Sequence, residues 1–318
     1  MNPVFKKAAL QALRSAGVFS VASRFRRNNT LVILCYHGIS LHDEQEWEGG
    51  LYISPARFQQ ALEWLRESRA NVLPLGEALQ RLHAGSLPPR SVVLTFDDGF
   101  YDFYRYAWPL LSRFGYPCTL YLTTYYSRFR LPIFNLVLSY ILWKGNSTGM
   151  PPAARYAEVK RYMGQAVTQG LDTEAKDVVA RQVAQSLGVD YDSILRDRLF
   201  QIMTPEEAAA VSRGGIDLQL HTHRHCTPLD HNLFLREIHD NSRAIEEISG
   251  RSPKHFCYPS GVTAPEFLPW LRECGVESAT TCVHGLATAS AEPLLLPRYL
   301  DGCGVGKLDF ESWLAGLR

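Results

Sequence analysis

Short apolar runs alternate with helical spacing along most of this chain. Residues 31–36 form an unbroken apolar run that ends in His37-Gly38 and reads as a buried strand. In Ser54-Pro55-Ala56-Arg57-Phe58, Ser54 stands as an N-cap and Pro55 as the first helical residue. The apolar spacing then continues through Leu62 and Leu65. Residues 71–73 predict a short strand. Leu75–His83 predicts a second helix, closed by Gly85 and Pro88-Pro89, and Ser91–Phe96 the next strand. Residues 106–114 read as a helix and 118–122 as a strand. Strands alternating with helices predict an α/β protein with a parallel sheet or barrel.

Residues 125–203 break that rhythm. Residues 133–143 are apolar with helical character, and 153–187 read as helices rich in Ala, Val and charged residues. This stretch is expected as a helical insertion. The alternation restarts at Thr204-Pro205-Glu206-Glu207, which carries an N-cap Thr, a Pro at the first helical position and a Glu placed for a capping box. A strand at 216–220 follows, then a helix at 233–248 ending at Gly250. Next come a strand at 255–258 closed by Pro259-Ser260-Gly261 and a helix at 265–274 with Gly275 as its C′ residue. The expected organisation is a basic N-terminal segment at 1–28, barrel parts at 29–124 and 204–305, the insertion at 125–203 and a tail at 306–318.

Charge and cysteine usage narrow the function classes. The net charge is +1, with no basic stripe interleaved with aromatics, which argues against a nucleic-acid partner. The seven cysteines are scattered without a C-x-x-C pair, as expected of reduced thiols in a cytoplasmic setting. No apolar run reaches the about 18 residues of a membrane span. Near the N-terminus, Phe5, Ala8, Ala9, Ala12, Leu13 and Ala16 follow helical spacing, with Lys7, Gln11 and Arg14 opposite. This segment reads either as a helix packed on the domain or as a basic amphipathic helix at the inner face of an anionic membrane.

The chemistry concentrates at two strand ends. Thr95-Phe96-Asp97-Asp98-Gly99 sets two adjacent carboxylates where a strand gives way to a loop, a pairing that calls for a compensating cation. His221-Thr222-His223-Arg224-His225 begins where residues 216–220 stop. His221 and His225, four apart, fall on one side of a turn, while His223 points elsewhere. Thr222 reads as a hydrogen-bond partner of a ligand or of the local backbone. Two imidazoles and one carboxylate make a facial set for Zn²⁺ with an open position. Alone, each motif reads as an ordinary turn or solvated loop. Together, at the C-terminal ends of two strands of one α/β chain, they point to a metal centre.

Thr95-Phe96-Asp97-Asp98-Gly99 and His221-Thr222-x-x-His225 resemble the first two motifs of the polysaccharide deacetylase family, the NodB-homology domain of carbohydrate esterase family 4. Tyr36-His37-Gly38-Ile39, Ser54-Pro55-Ala56-Arg57-Phe58 and Phe256-Cys257-Tyr258-Pro259-Ser260-Gly261 are similar to further stretches of its bacterial members. The resemblance implies a distorted (β/α)7 barrel, here with a helical insertion. It also implies a hydrolase that removes acetyl groups, N-acetyl foremost, from a sugar of a polysaccharide or lipid-linked glycan precursor. By the same resemblance Asp98, His221 and His225 bind a divalent metal, Zn²⁺ foremost, and Asp97 is the general base. A backbone N–H of the 256–261 loop would hold the oxyanion.

Departures from the family pattern leave the other roles open. Cys257 stands where many members have a base-orienting Arg. Arg298 reads as a contact to Asp97 or substrate, or as structural pairing. His284 is the nearest late histidine to serve as acid, and it reads equally as a loop residue. His37, Tyr258 and Pro259 are candidate substrate contacts, His37 equally a satisfied buried histidine. The competing reading is a non-catalytic carbohydrate-binding relative, which would not need Asp97. A phosphatase would need a phosphate-binding loop that the sequence lacks.

Overall fold

In the computed structural model of the chain, residues 10–17, 30–145 and 149–316 are described. Six strands follow one another in parallel: Thr30–Tyr36, Ser91–Phe96, Thr119–Leu122, Asp217–Leu220, His255–Cys257 and Ser278–Thr280. The seventh, Tyr299–Leu300, returns to pair in parallel with Thr30–Tyr36. Just before it, Leu296 donates its N–H to Ala279 O and accepts from Thr281 N–H, so the ring closes through residues 296–300. This is the distorted (β/α)7 barrel expected from the motifs.

Side-chain period two explains how the ring positions the site. Along the first two strands Val32, Leu34, Val92, Leu94 and Phe96 join the layer of Phe58 and Leu62, under the helix Pro55–Glu67. Leu31, Ile33 and Val93 cluster on the other face with Tyr121, Cys257 and Leu296, inside the ring. Continuing the second strand's alternation places Thr95 and then Asp97 on that inner face. Every residue of Ser91–Phe96 is buried, as in a strand covered on both sides.

Ser54 caps its helix by accepting the Arg57 N–H at 3.2 Å, and Thr204 and Glu207 form the expected capping box. Arg57 also ties the first helix to the ring's closure. It donates to Asp301 and, at 2.9 Å, to Val305 O, while Tyr36 OH donates to Asp301 at 2.8 Å. Burial pushes the Asp301 carboxyl up to about 6 despite these partners.

The stretch 125–203, between the third and fourth strands, carries the helices Phe134–Lys144, Pro152–Thr168, Thr173–Ser186 and Tyr191–Arg196. They bury a second core that includes Val137, Leu138, Ile141, Ala180 and Ala184, and this core meets the barrel at Trp47, Tyr52 and Phe200. The stretch set apart as a tail is instead a helix, Lys307–Leu314. Its Phe310 and Trp313 are buried in the main core, because their spacing puts both on one face. Most of the basic N-terminal segment lies outside the described residues, including Phe5, Ala8 and Ala9. Within them Leu10 is buried, Leu13 is exposed and Arg14 pairs with Glu311 at 3.0 Å. Among the described residues no helix is long and apolar enough to cross a membrane.

Candidate metal and catalytic centre

The two adjacent carboxylates face opposite partners. Asp97 N–H donates to Tyr36 O at 3.0 Å, continuing the strand ladder, and its side chain points into the ring. There Arg298 grips it with both arms: Nη1 donates to Oδ1 and Nη2 to Oδ2, each at 2.7 Å. Arg298 Nε donates to Thr281 O and Nη1 also to Thr95 Oγ1, which fixes the guanidinium plane. Both side chains are almost fully buried, at 1% and 3% exposure, so each charge depends on the other. Burial pushes the Asp97 carboxyl up, but Arg298, helped by His37 and His221, outweighs it and holds it well below the usual carboxylate range.

Cys257 completes this arrangement. Its thiol donates to Asp97 Oδ2 at 3.3 Å and lies 3.1 Å from Arg298 Nη2. A small side chain at the end of the fifth strand leaves room for a guanidinium that arrives from the seventh. His37 Nε2 stands 3.6 Å from Asp97 Oδ2, and burial pushes this imidazole down, toward its neutral form.

Asp98 turns the other way because its backbone is left-handed, with φ +68°, a conformation Asp tolerates better than most residues. Gly99 continues the turn at φ +87°, and a Cβ there would meet the Leu122 side chain. Asp98 Oδ1 lies 3.2 Å from His221 Nε2 and 3.2 Å from His225 Nε2. Burial raises the Asp98 carboxyl, but the two imidazoles hold it well below its ordinary range. Burial lowers the His225 imidazole, and Asp98 more than offsets that.

His221 Nδ1 lies 2.9 Å from Cys257 O, so Nδ1 carries the proton and Nε2 presents its lone pair. A carboxylate oxygen and two ring nitrogens, all within 4.8 Å of one another, form a set of three potential ligand atoms. That chemistry fits a divalent cation. Thr222 serves the local backbone, accepting Cys226 N–H at 3.0 Å. His223 turns away, its Nδ1 2.9 Å from Thr124 Oγ1.

One supporting residue escaped the sequence reading. Asn241 is fully buried. It accepts His221 N–H at 2.9 Å and donates to Leu122 O and Thr124 Oγ1 at 2.9 Å each. The signal was a lone amide on the apolar face of His231–Ser249, between Ile238 and Ile245. Asn241→Ala would remove the Asn241 partner from the His221 N–H and Leu122 O and leave Thr124 Oγ1 with only His223. We expect it to cost about 3 kcal/mol in denaturant unfolding and to weaken metal binding about tenfold or more through the loosened ligand.

A cavity of about 610 Å³ opens over these groups. Asp97, Asp98, His221, His225 and Arg298 line it, as do His37, Tyr258 and His284. His284 is exposed, with its ring 6.0 Å from that of Tyr299. Tyr258 OH is engaged with Leu294 O at 3.0 Å. Pro259 is buried at the start of the turn Pro259–Gly261, and Ser260, at φ +54°, lines the cavity in its stead. The N–H groups of Tyr258, Gly261 and Val262 donate to carbonyls, whereas among the described residues that of Ser260 meets none.

Comparison with known proteins points the same way as the motifs. A polysaccharide deacetylase family model matches residues 159–279, a range that takes in His221, His225 and Cys257. The poly-beta-1,6-N-acetyl-D-glucosamine N-deacetylase of Escherichia coli (strain K12) is 29% identical over 92 residues, 28% of this chain and 13% of that protein. Its namesake from Staphylococcus aureus (strain MSSA476) is 33% identical over 72 residues, 23% of this chain and 25% of that protein. The matches thus span a quarter or less of these two relatives. Among solved structures, the Streptococcus pyogenes deacetylase PplD superposes with a TM-score of 0.62 at 18% identity, covering 91% of this chain and 98% of that one. IcaB from Ammonifex degensii gives 0.58 at 18%, with the same coverage. At such identity the superpositions show the shared barrel fold. The resemblance to polysaccharide deacetylases read from the motifs therefore holds.

Proposed function

We propose, on the premise of this likeness to polysaccharide deacetylases, that the chain hydrolyses acetyl groups, N-acetyl foremost, on a sugar of an acetylated glycan or lipid-linked precursor. Asp98, His221 and His225 would hold a divalent ion, Zn²⁺ foremost. The observation that carries the reading is the division between the neighbours: Asp98 faces two imidazoles, and Asp97 is locked to Arg298 beside them. When bound, the ion acidifies a coordinated water and polarises the acyl oxygen, so that even a weakly basic carboxylate can accept the proton.

The chain's own residues divide the remaining work. Asp97, kept ionised by Arg298, takes the proton of the attacking water. The N–H of Ser260, a residue of the cavity lining, would suit the acyl oxygen as negative charge develops on it. His284, an exposed residue of the cavity lining, would protonate the departing amine. Tyr258 lines the wall beside it, and His37 flanks Asp97.

The test is acetate release from a panel of acetylated glycans before and after metal removal. Chelation should abolish release and one equivalent of Zn²⁺ per chain should restore it. His225→Ala should bind the ion at least about tenfold more weakly, having lost one of three ligands. Undiminished release from protein shown to be metal-free overturns the reading.

A further inference from the structure

We propose that the acetylated sugar taken by this cavity carries a hydrocarbon aglycone, which lies along an apolar wall built largely by the helical insertion. The inference rests on the deacetylase reading above and names its substrate class. The single cavity joins two unlike halves. One carries the carboxylates, the imidazoles and Arg298. The other is lined by Leu51, Phe100, Ile133, Leu136, Met163 and Ile202.

The insertion makes most of that second half. Ile133 and Leu136 stand at the start of Phe134–Lys144, and Met163 comes from Pro152–Thr168. On the first of these helices Val137, Leu138 and Ile141 are buried in the insertion's own core, whereas Ile133, Leu136 and Met163 are only partly covered and reach the cavity. Apolar surface left against water favours a ligand that covers it. A sugar chain laid there would set its hydroxyls against methyl and methylene groups and lose hydrogen bonds to water. Asn135 and the Tyr126 hydroxyl are the polar groups that the insertion adds to the lining.

Methyl, hexyl and decyl glycosides of N-acetylglucosamine, kept below micelle-forming concentrations, test this against a chain-length-independent acetylated oligosaccharide. Their Kd values are measured by calorimetry on the metal-free full chain, and their KM values by acetate release from the Zn²⁺-loaded protein. Each buried methylene strengthens binding by up to about fourfold, so both constants should fall at least about tenfold from methyl to decyl. Met163→Lys, and independently Ile133→Gln, should flatten the series, whereas Met163→Leu should keep it. Equal constants across the series, or an unflattened series in both polar variants, overturn the inference. If the methyl glycoside then still releases acetate, the deacetylase reading stands without it. A chain-length-dependent Kd with no acetate released from any glycoside or polymer overturns the reading and leaves the apolar subsite standing.

Discussion

Asp97→Asn is expected to hold the metal ion as the parent does and to release acetate about 10³-fold more slowly. The substitution keeps the side chain's shape but removes the carboxylate proposed as the base, while Asp98, His221 and His225 are untouched. It also leaves Arg298 charged and buried without its counterion, which costs about 3–5 kcal/mol. Thermal unfolding must therefore be followed beside activity and metal content. A folded, metal-loaded Asp97→Asn protein with acetate release within tenfold of the parent would show that the base lies elsewhere.

Arg298→Met should have the second largest effect, and its signature is pH dependence. In the parent, Arg298 holds Asp97 below its ordinary value, so the proposed base stays ionised into acid solution. Without the guanidinium, burial acts unopposed and the Asp97 pKa rises. The acid limb of kcat/KM should move to higher pH, and activity at neutral pH should fall.

Stability follows with a definite sign. Parental Asp97 has a folded pKa below its unfolded one. Its contribution is therefore present above about pH 4 and lost as pH falls through the folded value. In Arg298→Met the folded pKa lies above the unfolded one, so this group destabilises increasingly as pH rises from about 4 toward the new value. The difference in unfolding free energy between parent and variant should thus widen with rising pH, to about 3–5 kcal/mol where the carboxylate is stranded. Arg298→Lys keeps the charge but not the two-armed geometry, and should recover part of the stability with an acid limb between the two. An acid limb that stays put in Arg298→Met would sink the assignment of Arg298 as the residue that positions Asp97.

Part of this protein is legible from one sequence because its determinants are local. The unbroken apolar runs, Ser54-Pro55 and Thr204-Pro205 as helix starts, and the alternation of strands and helices all act within a few residues. They lead to an α/β barrel interrupted by helices. The Asp97-Asp98-Gly99 and His221-x-x-x-His225 spacings are local too, and they mark the residues whose donor atoms converge. A turn of helix or a left-handed residue is specified by its immediate neighbours.

Other features required the closed ring. Arg298 lies 201 residues from Asp97 in sequence, and only the return of residues 296–300 to the first strand sets its guanidinium against that carboxylate. The absence of an arginine at Cys257 looked like a gap in the sequence; in the fold it is the space that Arg298 fills. Asn241 reads as one polar residue on an apolar helix face until packing brings it to the His221 backbone. Ser260 reads as an ordinary turn residue until the fold sets it in the cavity lining. Sequence patterns by themselves determined the fold class and the two carboxylates and two imidazoles of the site. Tertiary structure decided which partner each carboxylate faces, because a buried charge is set by the groups that closure brings within hydrogen-bond reach, and sequence spacing carries no record of those contacts.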